Sequence, residues 1–357
     1  MTLFRSVLAQ YSARLRLAAG LSLLVVLAAC NPNFDFDERH TKPLSNATKT
    51  RLETLKMDAD SPMVVRIFKE DAELEVWKWR KTDRKYALYK TYDICAWSGE
   101  LGPKIREGDR QAPEGFYTIL PSLMNPKSNY YLAFNLGFPN EFDRAHKRTG
   151  TYLMVHGSCS SAGCYAMEDE HIEEIYQLGR ESFNAGQKSF QVQAFPFRMT
   201  NANLARYSTS PHIDFWRMLK LGSDHFEATK QPPKVNVCNK RYVFNAEAAD
   251  GGKFIPDEAC PPYAVPEAIG KAVARYRGEP YVPQTQISSI PAMQSVRRDA
   301  GAAETAPAAQ STIAIPATVA IPVAEPAADV ATAEQAAPQW VEPKPERKGL
   351  FKKLFRR

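Results

Sequence analysis

The sequence predicts a mainly β domain with packed helices (α+β), and three observations carry that prediction. Seven short runs between residues 64 and 195 interleave apolar with polar or charged side chains, the pattern of half-buried strands. Only two long segments, 168–184 and 212–229, show helical spacing instead. A composition of 44% apolar and 11% aromatic residues over 357 positions is ample for a packed core and excludes wholesale disorder. Many strands and few helices indicate a sheet or sandwich with the helices packed at one side.

The amino end reads as targeting. Arg5, Arg14 and Arg16 precede a thirteen-residue run, Leu17 to Ala29, that is apolar except for Gly20 and Ser22. A helix crossing the hydrocarbon core needs about 20 such residues, so 1–29 is expected to be an export signal. The run ends Leu27-Ala28-Ala29-Cys30, which resembles a bacterial lipobox. That resemblance implies a lipoprotein signal peptide and lipidation of Cys30; a plain signal peptide is the alternative. Asn31 favours the outer membrane by the same resemblance. The expected location is the periplasmic side of the cell envelope, lipid-anchored.

Export sets the redox compartment. Beyond Cys30 there are five cysteines, an odd number, so complete internal pairing leaves one thiol free. Cys238 and Cys260 flank a hairpin-like segment with Asp250-Gly251-Gly252 at its turn and are expected to pair. Cys95 can pair with Cys159, and the sequence leaves the connectivity open.

Residues 30–60 are polar, with a short helical stretch near 47–57, and read as a spacer. Strands follow at Val64–Phe68, Leu74–Trp79 and Tyr86–Ile94, the third carrying Tyr86, Leu88, Tyr89, Tyr92 and Ile94. Gly99, Gly102-Pro103, Gly108-Asp109 and Pro113-Glu114-Gly115 punctuate the next loop. Further strands are Phe116–Leu120, Tyr130–Leu136, Tyr152–Val155 and Phe190–Phe195. A helix over Glu168–Asn184 puts Ile172, Ile175, Tyr176 and Phe183 on one side, and one over His212–Thr229 carries Ile213, Trp216, Leu219 and Phe226. The main domain is thus assigned to 61–205, with 206–283 as its helical and hairpin extension. Residues 284–345 are rich in Ala, Pro, Thr and Gln and are expected to form a disordered linker.

Charge is concentrated at the carboxyl end. The net charge is +6, yet the last eleven residues hold six basic side chains and no acidic ones, leaving 40 against 40 elsewhere. A nucleic-acid-binding face on the main domain is therefore not supported. In 346–357, Leu350, Phe351, Leu354 and Phe355 share one helical face with cations elsewhere, which fits a basic amphipathic tail for an anionic membrane surface or acidic polymer. A solvated charged end that binds nothing is the alternative.

The chemistry is expected between 150 and 168. An apolar strand ends in His156-Gly157, a small-residue loop follows, and Gly163-Cys164 leads towards the helix. Thiol catalysis needs a partner that accepts the proton. His156 and Cys164, eight residues apart, can meet if the loop doubles back. The helix start beyond Cys164 would add a modest positive field, and the amides of Gly163 and Cys164 could hold an oxyanion. A local Cys159–Cys164 disulfide, a metal site of the three side chains and a satisfied strand-end histidine remain open. A metal is disfavoured because zinc usually takes four ligands in paired spacings.

Several ordered motifs resemble the L,D-transpeptidase catalytic domain family (YkuD-type fold). His156-Gly157 and Ser161-Ala162-Gly163-Cys164 are similar to its His-Gly strand end and Ser-His-Gly-Cys loop. Gly108-Asp109-Arg110-Gln111-Ala112-Pro113-Glu114-Gly115-Phe116-Tyr117 resembles its Gly-Asp-x-x-x-Pro-Glu-Gly-x-Tyr loop. Phe134-Asn135-Leu136-Gly137 through Asp143-Arg144-Ala145, and Cys164-Tyr165-Ala166-Met167, resemble its YafK-like branch; the likeness spans roughly residues 62–200.

The resemblance implies an L,D-transpeptidase-like β-sandwich or sheet, with no cofactor and no metal. It further implies acyl transfer at diaminopimelate in peptidoglycan stem peptides, with Cys164 as nucleophile and His156 as general base and acid. Cys164, not Cys159, follows Ser-x-Gly and is the favoured nucleophile. Gly163 and Ser161 would shape the oxyanion loop, and Arg144 and Glu114 are candidate substrate-binding residues, Glu114 tying a loop near the cleft. Ala162 stands where the family usually has a second histidine, and Ala166 where it commonly has an arginine.

Three functions follow. One is a transpeptidase of cell-wall remodelling. Another is an amidase that releases a wall-linked lipoprotein from diaminopimelate. The third is a non-catalytic wall-binding lipoprotein. The corresponding partners are stem peptides, a wall-linked lipoprotein, and the membrane through Cys30 and the basic tail. His146, His171, His212 and His225 read as surface or helix-packing residues.

Overall fold

The computed structural model describes residues 38–282. The expected signal peptide with Cys30, the 284–345 linker and the basic tail lie outside the described residues.

The strand β1 (Met63–Phe68) is buried at every position. A strand covered on both faces reads as an unbroken apolar run rather than an alternation. It pairs antiparallel with β2 (Glu73–Arg80) and parallel with β9 (Phe190–Phe195). β3 (Lys85–Trp97) pairs with β2 over its first nine residues. Beyond these lie β4 (Gly115–Ile119), β5 (Met124–Asn125), β6 (Ala133–Asn135), β7 (Met154–His156) and β8 (Tyr165–Met167). Nine strands form one mixed sheet in the order β4-β9-β1-β2-β3-β8-β7-β6-β5.

Helices cover both faces of the sheet, not one. α1 (Asn46–Thr54) and the short α2 (Glu141–Ala145) precede α3 (Asp169–Asn184), whose Ile172, Ile175 and Leu178 join the first core cluster with Val65, Ile67, Val76 and Val192. After the short α4 (Asn201–Arg206) comes α5 (Ile213–Thr229), which lies on the opposite face; its Trp216 and Leu219 pack with Phe68, Phe116 and Phe195. Neighbouring residues of β1 thus serve different cores, as the two-residue period of a strand requires. Burying each such side chain contributes about 1.5–3 kcal/mol, which holds α5 against the sheet.

Two expectations change in detail. Leu88 and Tyr89 cannot both face inward; a register shift opposite Val76/Trp77 leaves Tyr89 out of the pairing and buried, with Leu88 40% exposed. The tight hairpin turn is at Asn239-Lys240, between β10 (Val235–Cys238) and β11 (Arg241–Phe244), not at 250–252. Both turn residues have positive φ, 47° and 56°, as a two-residue turn between twisted strands demands. The extension ends with the short pair β12 (Glu247–Ala248) and β13 (Tyr263–Ala264) and with α6 (Glu267–Arg277). Among the described residues no helix is long and apolar enough to cross a membrane.

Candidate active site

β7 and β8 are parallel neighbours, with Val155 opposite Tyr165 and His156 opposite Ala166. Val155 and Tyr165 point into the first core cluster, so His156 takes the other face. Cys164, immediately before β8, continues that register opposite Met154 on the same face as His156. The strand pairing, rather than a doubled-back loop alone, places the two residues on one face of the sheet, and no hydrogen bond joins their side chains among the described residues.

The backbone of this edge holds the thiol. The Met154 amide donates to Cys164 Sγ at 3.4 Å, and the thiol lies 3.6 Å from the Tyr152 carbonyl oxygen. Burial pushes the Cys164 thiol up from its ordinary value, partly offset by the Met154 amide and the positive charge of Lys104. His156 is 3% exposed, and burial lowers its pKa. Its Nδ1 is 2.6 Å from the Gly157 carbonyl oxygen, a contact in which Nδ1 donates and Nε2 is left as the basic nitrogen. The Tyr130 ring packs over the imidazole at 4.8 Å. Gly157 is needed here, because a Cβ would stand 2.5 Å from Asp169 Oδ1 and 2.9 Å from Tyr131 Cβ.

The intervening loop is pinned. Cys95 is bridged to Cys159, and Cys238 to Cys260, leaving Cys164 as the free cysteine among the described residues. The bridge rules out a Cys159–Cys164 disulfide, removes Cys159 as rival nucleophile, and breaks the three-ligand set weighed for a metal. Cys95 sits at a register shift between Ile94 and Ala96, where β3 turns from pairing β2 to pairing β8. Such an irregularity re-aims a side chain out of the regular alternation.

Ser161 organises the turn into Cys164. Its Oγ donates to the Cys164 carbonyl at 2.8 Å and accepts from the amides of Gly163 and Cys164 at 3.3 and 3.2 Å. The two amides expected to face an oxyanion therefore point at Ser161 here, through long hydrogen bonds. The expected helix field is absent, since β8 separates Cys164 from α3. The positive charge acting on the sulfur comes from Lys104 instead.

A cavity of about 130 Å³ opens at Cys164, lined also by Lys104, Glu107, Arg110, Tyr152 and Gly163. Arg144 is not among its walls; it lies on α2 and donates to the Pro139 carbonyl. Glu114 is not a substrate ligand either. It is fully buried and accepts from Lys69 Nζ at 3.0 Å, the Gly102 amide at 2.7 Å and Trp216 Nε1 at 2.9 Å. That saturates it as a loop tie. His146, His171, His212 and His225 each pack against an aromatic ring. The sequence does not mark Lys104, Arg110 or Tyr130 as site residues. Nothing local marks them, although Arg110 lies inside the quoted Gly-Asp loop.

Comparison with known proteins identifies the family. Residues 64–184 match the L,D-transpeptidase catalytic domain family, YkuD. The chain is 43% identical over 228 residues to "Putative L,D-transpeptidase YafK" of Escherichia coli (strain K12), covering 64% of this chain and 89% of that protein. Among solved structures, the helical cell shape determining protein Pgp2 of Campylobacter jejuni is 20% identical, with a TM-score of 0.31 over 55% of this chain and 80% of that one. Bd1075 of Bdellovibrio bacteriovorus is 18% identical, with a TM-score of 0.30 over 56% of this chain and 92% of that one. The chain belongs to the L,D-transpeptidase catalytic domain family, in its YafK-like branch.

Proposed function

We propose that the protein is a cysteine acyl-transfer enzyme acting on diaminopimelate-containing peptidoglycan stem peptides. The observation that carries this reading is a free thiol, Cys164, opening on a cavity and sharing a sheet face with His156, whose Nδ1 is engaged by Gly157. His156 takes the thiol proton as Cys164 Sγ attacks the amide carbonyl. The carbon–sulfur bond forms, the carbon–nitrogen bond breaks, and the proton passes to the leaving amine. An amine acceptor or water then releases the acyl group from the thioester. The developing oxyanion competes for the Gly163 and Cys164 amides, whose hydrogen bonds to Ser161 are long and easily displaced.

The enzyme works in the cell envelope, anchored through Cys30. The lipobox-like Leu27-Ala28-Ala29-Cys30 supports the anchor, and two disulfides in the folded domain support an oxidising compartment. Incubation of the full-length protein with purified sacculi, followed by mass analysis, tests the activity. A thioester adduct on Cys164 and altered muropeptides are expected, and both should vanish in Cys164→Ala. A lysine-ended acceptor peptide separates transfer from hydrolysis. Unchanged sacculi with and without acceptor would remove the enzymatic reading and leave a wall-binding lipoprotein.

A further inference from the structure

The two cations that line the cavity at Cys164 differ in availability. Lys104 is buried, ion-paired with Asp109, and donates to the Arg106 carbonyl at 2.9 Å. Its charge is engaged within the protein and acts on the sulfur from there. Arg110 is exposed, and its side chain has no hydrogen bond or ion pair among the described residues.

The backbone of Arg110 is held in place for this exposure. It adopts φ 51°, a left-handed conformation that a non-glycine residue keeps only when its surroundings impose it. Asp109 supplies the constraint by gathering the amides of Ile105, Arg106 and Gln111 at 2.9–3.0 Å. On the other side, the Arg110 main chain lies 3.8 Å from where a Cβ on Gly163 would stand, one residue before the nucleophile. The cavity's carboxylate, Glu107, accepts the Thr151 hydroxyl at 3.2 Å and does not pair with Arg110. An unpaired guanidinium, carried on a backbone held beside Gly163 and lining the cavity at Cys164, suits recognition of a planar carboxylate.

We infer that Arg110 is a specificity-determining residue that binds a free carboxylate of the substrate next to the carbonyl attacked by Cys164. This rests on the reading of Cys164 as acting on stem peptides. Because Arg110 abuts Gly163, the carboxylate belongs to a residue flanking the scissile amide. That leaves the free carboxylate of diaminopimelate or the terminal carboxylate of the leaving residue.

The test uses full-length protein and three disaccharide tetrapeptides: unmodified, amidated at the diaminopimelate carboxylate, and amidated at the terminal carboxylate. Initial rates and the Cys164 adduct are followed by mass. Wild type should act on one amidated substrate about 10–100-fold more slowly than on the free acid, the scale of a charge-assisted hydrogen bond. Arg110→Gln should lose that factor on the free acid and treat the pair alike, with Arg110→Lys between them. Iodoacetamide should alkylate Cys164 equally fast in wild type and Arg110→Gln, which shows the thiol and loop to be intact. Discrimination unchanged in Arg110→Gln, or an equal slowing on all substrates together with slower alkylation, overturns the inference while leaving the proposed activity standing. Absence of any adduct or product with wild type overturns both.

Discussion

The amide of Met154 donates to Cys164 Sγ at 3.4 Å, so the free thiol rests on the backbone of the strand that carries His156 two residues later. This contact only partly offsets burial: the thiol titrates above its ordinary 9.0 and the imidazole below its ordinary 6.5. Both directions favour the neutral forms at pH 7, so the proposed attack would transfer the proton during the step rather than start from a standing ion pair.

Iodoacetamide alkylation of Cys164 should therefore still be accelerating at pH 9, the ordinary thiol value. His156→Gln should slow adduct formation from substrate by roughly 10²–10⁴-fold while leaving alkylation at high pH nearly unchanged. Timed alkylation followed by intact mass reads both effects. A thiol fully reactive at pH 6 would contradict the neutral pair.

The Cys95–Cys159 bridge should matter to stability and to the site together. It closes a loop of 64 residues, and the chain-entropy relation places its contribution at about 4 kcal/mol. Cys95→Ser should lower the denaturant midpoint and reduce activity, whereas the adduct in any residual activity stays on Cys164. An adduct on Cys159 would reassign the nucleophile.

Lys69 and Glu114 are each fully buried and 3.0 Å apart, and Lys69 Nζ also donates to the carbonyls of Glu100, Gly102 and Ala112. Lys69→Met strands a buried carboxylate and should cost roughly 3–5 kcal/mol. The double variant with Glu114→Gln should cost less than Lys69→Met alone. Equilibrium unfolding in urea measures the difference, and a more damaging double variant would refute the pairing argument.

Lys78 is buried with its ammonium on the Ala59 carbonyl and the Ser182 hydroxyl, at 2.9 and 3.1 Å, and burial lowers its pKa to about 7. The unfolded chain keeps an ordinary lysine value near ~10.4. Between these values the unfolded state binds more protons, so this residue makes stability rise with pH through that window, and its penalty is full below it. Lys78→Met should stabilise the protein at pH 6 and lose most of that advantage by pH ~10. Denaturant midpoints across that range give the check; an advantage that grows with pH would reverse the sign.

The β-rich fold and the two long helices could be read in advance, because side-chain periodicity and turn residues are properties of neighbours along the chain. The span Phe190–Phe195 is found as expected, while Tyr130–Leu136 shrinks to Ala133–Asn135. β8 went unseen because three residues carry no period; it is a strand only through its pairing with β3 and β7.

Contact across the chain made the remaining assignments. Arg144 and Glu114 looked suitable by type, yet the first, on α2, donates to the Pro139 carbonyl just before that helix and the second is saturated in the interior. Lys104 and Arg110 reach the cavity because a loop some fifty residues upstream folds against Gly163. Desolvation, charge pairing and the free or bridged state of a sulfur depend on which distant atoms displace water from a group. Residue order constrains those neighbours but does not display them.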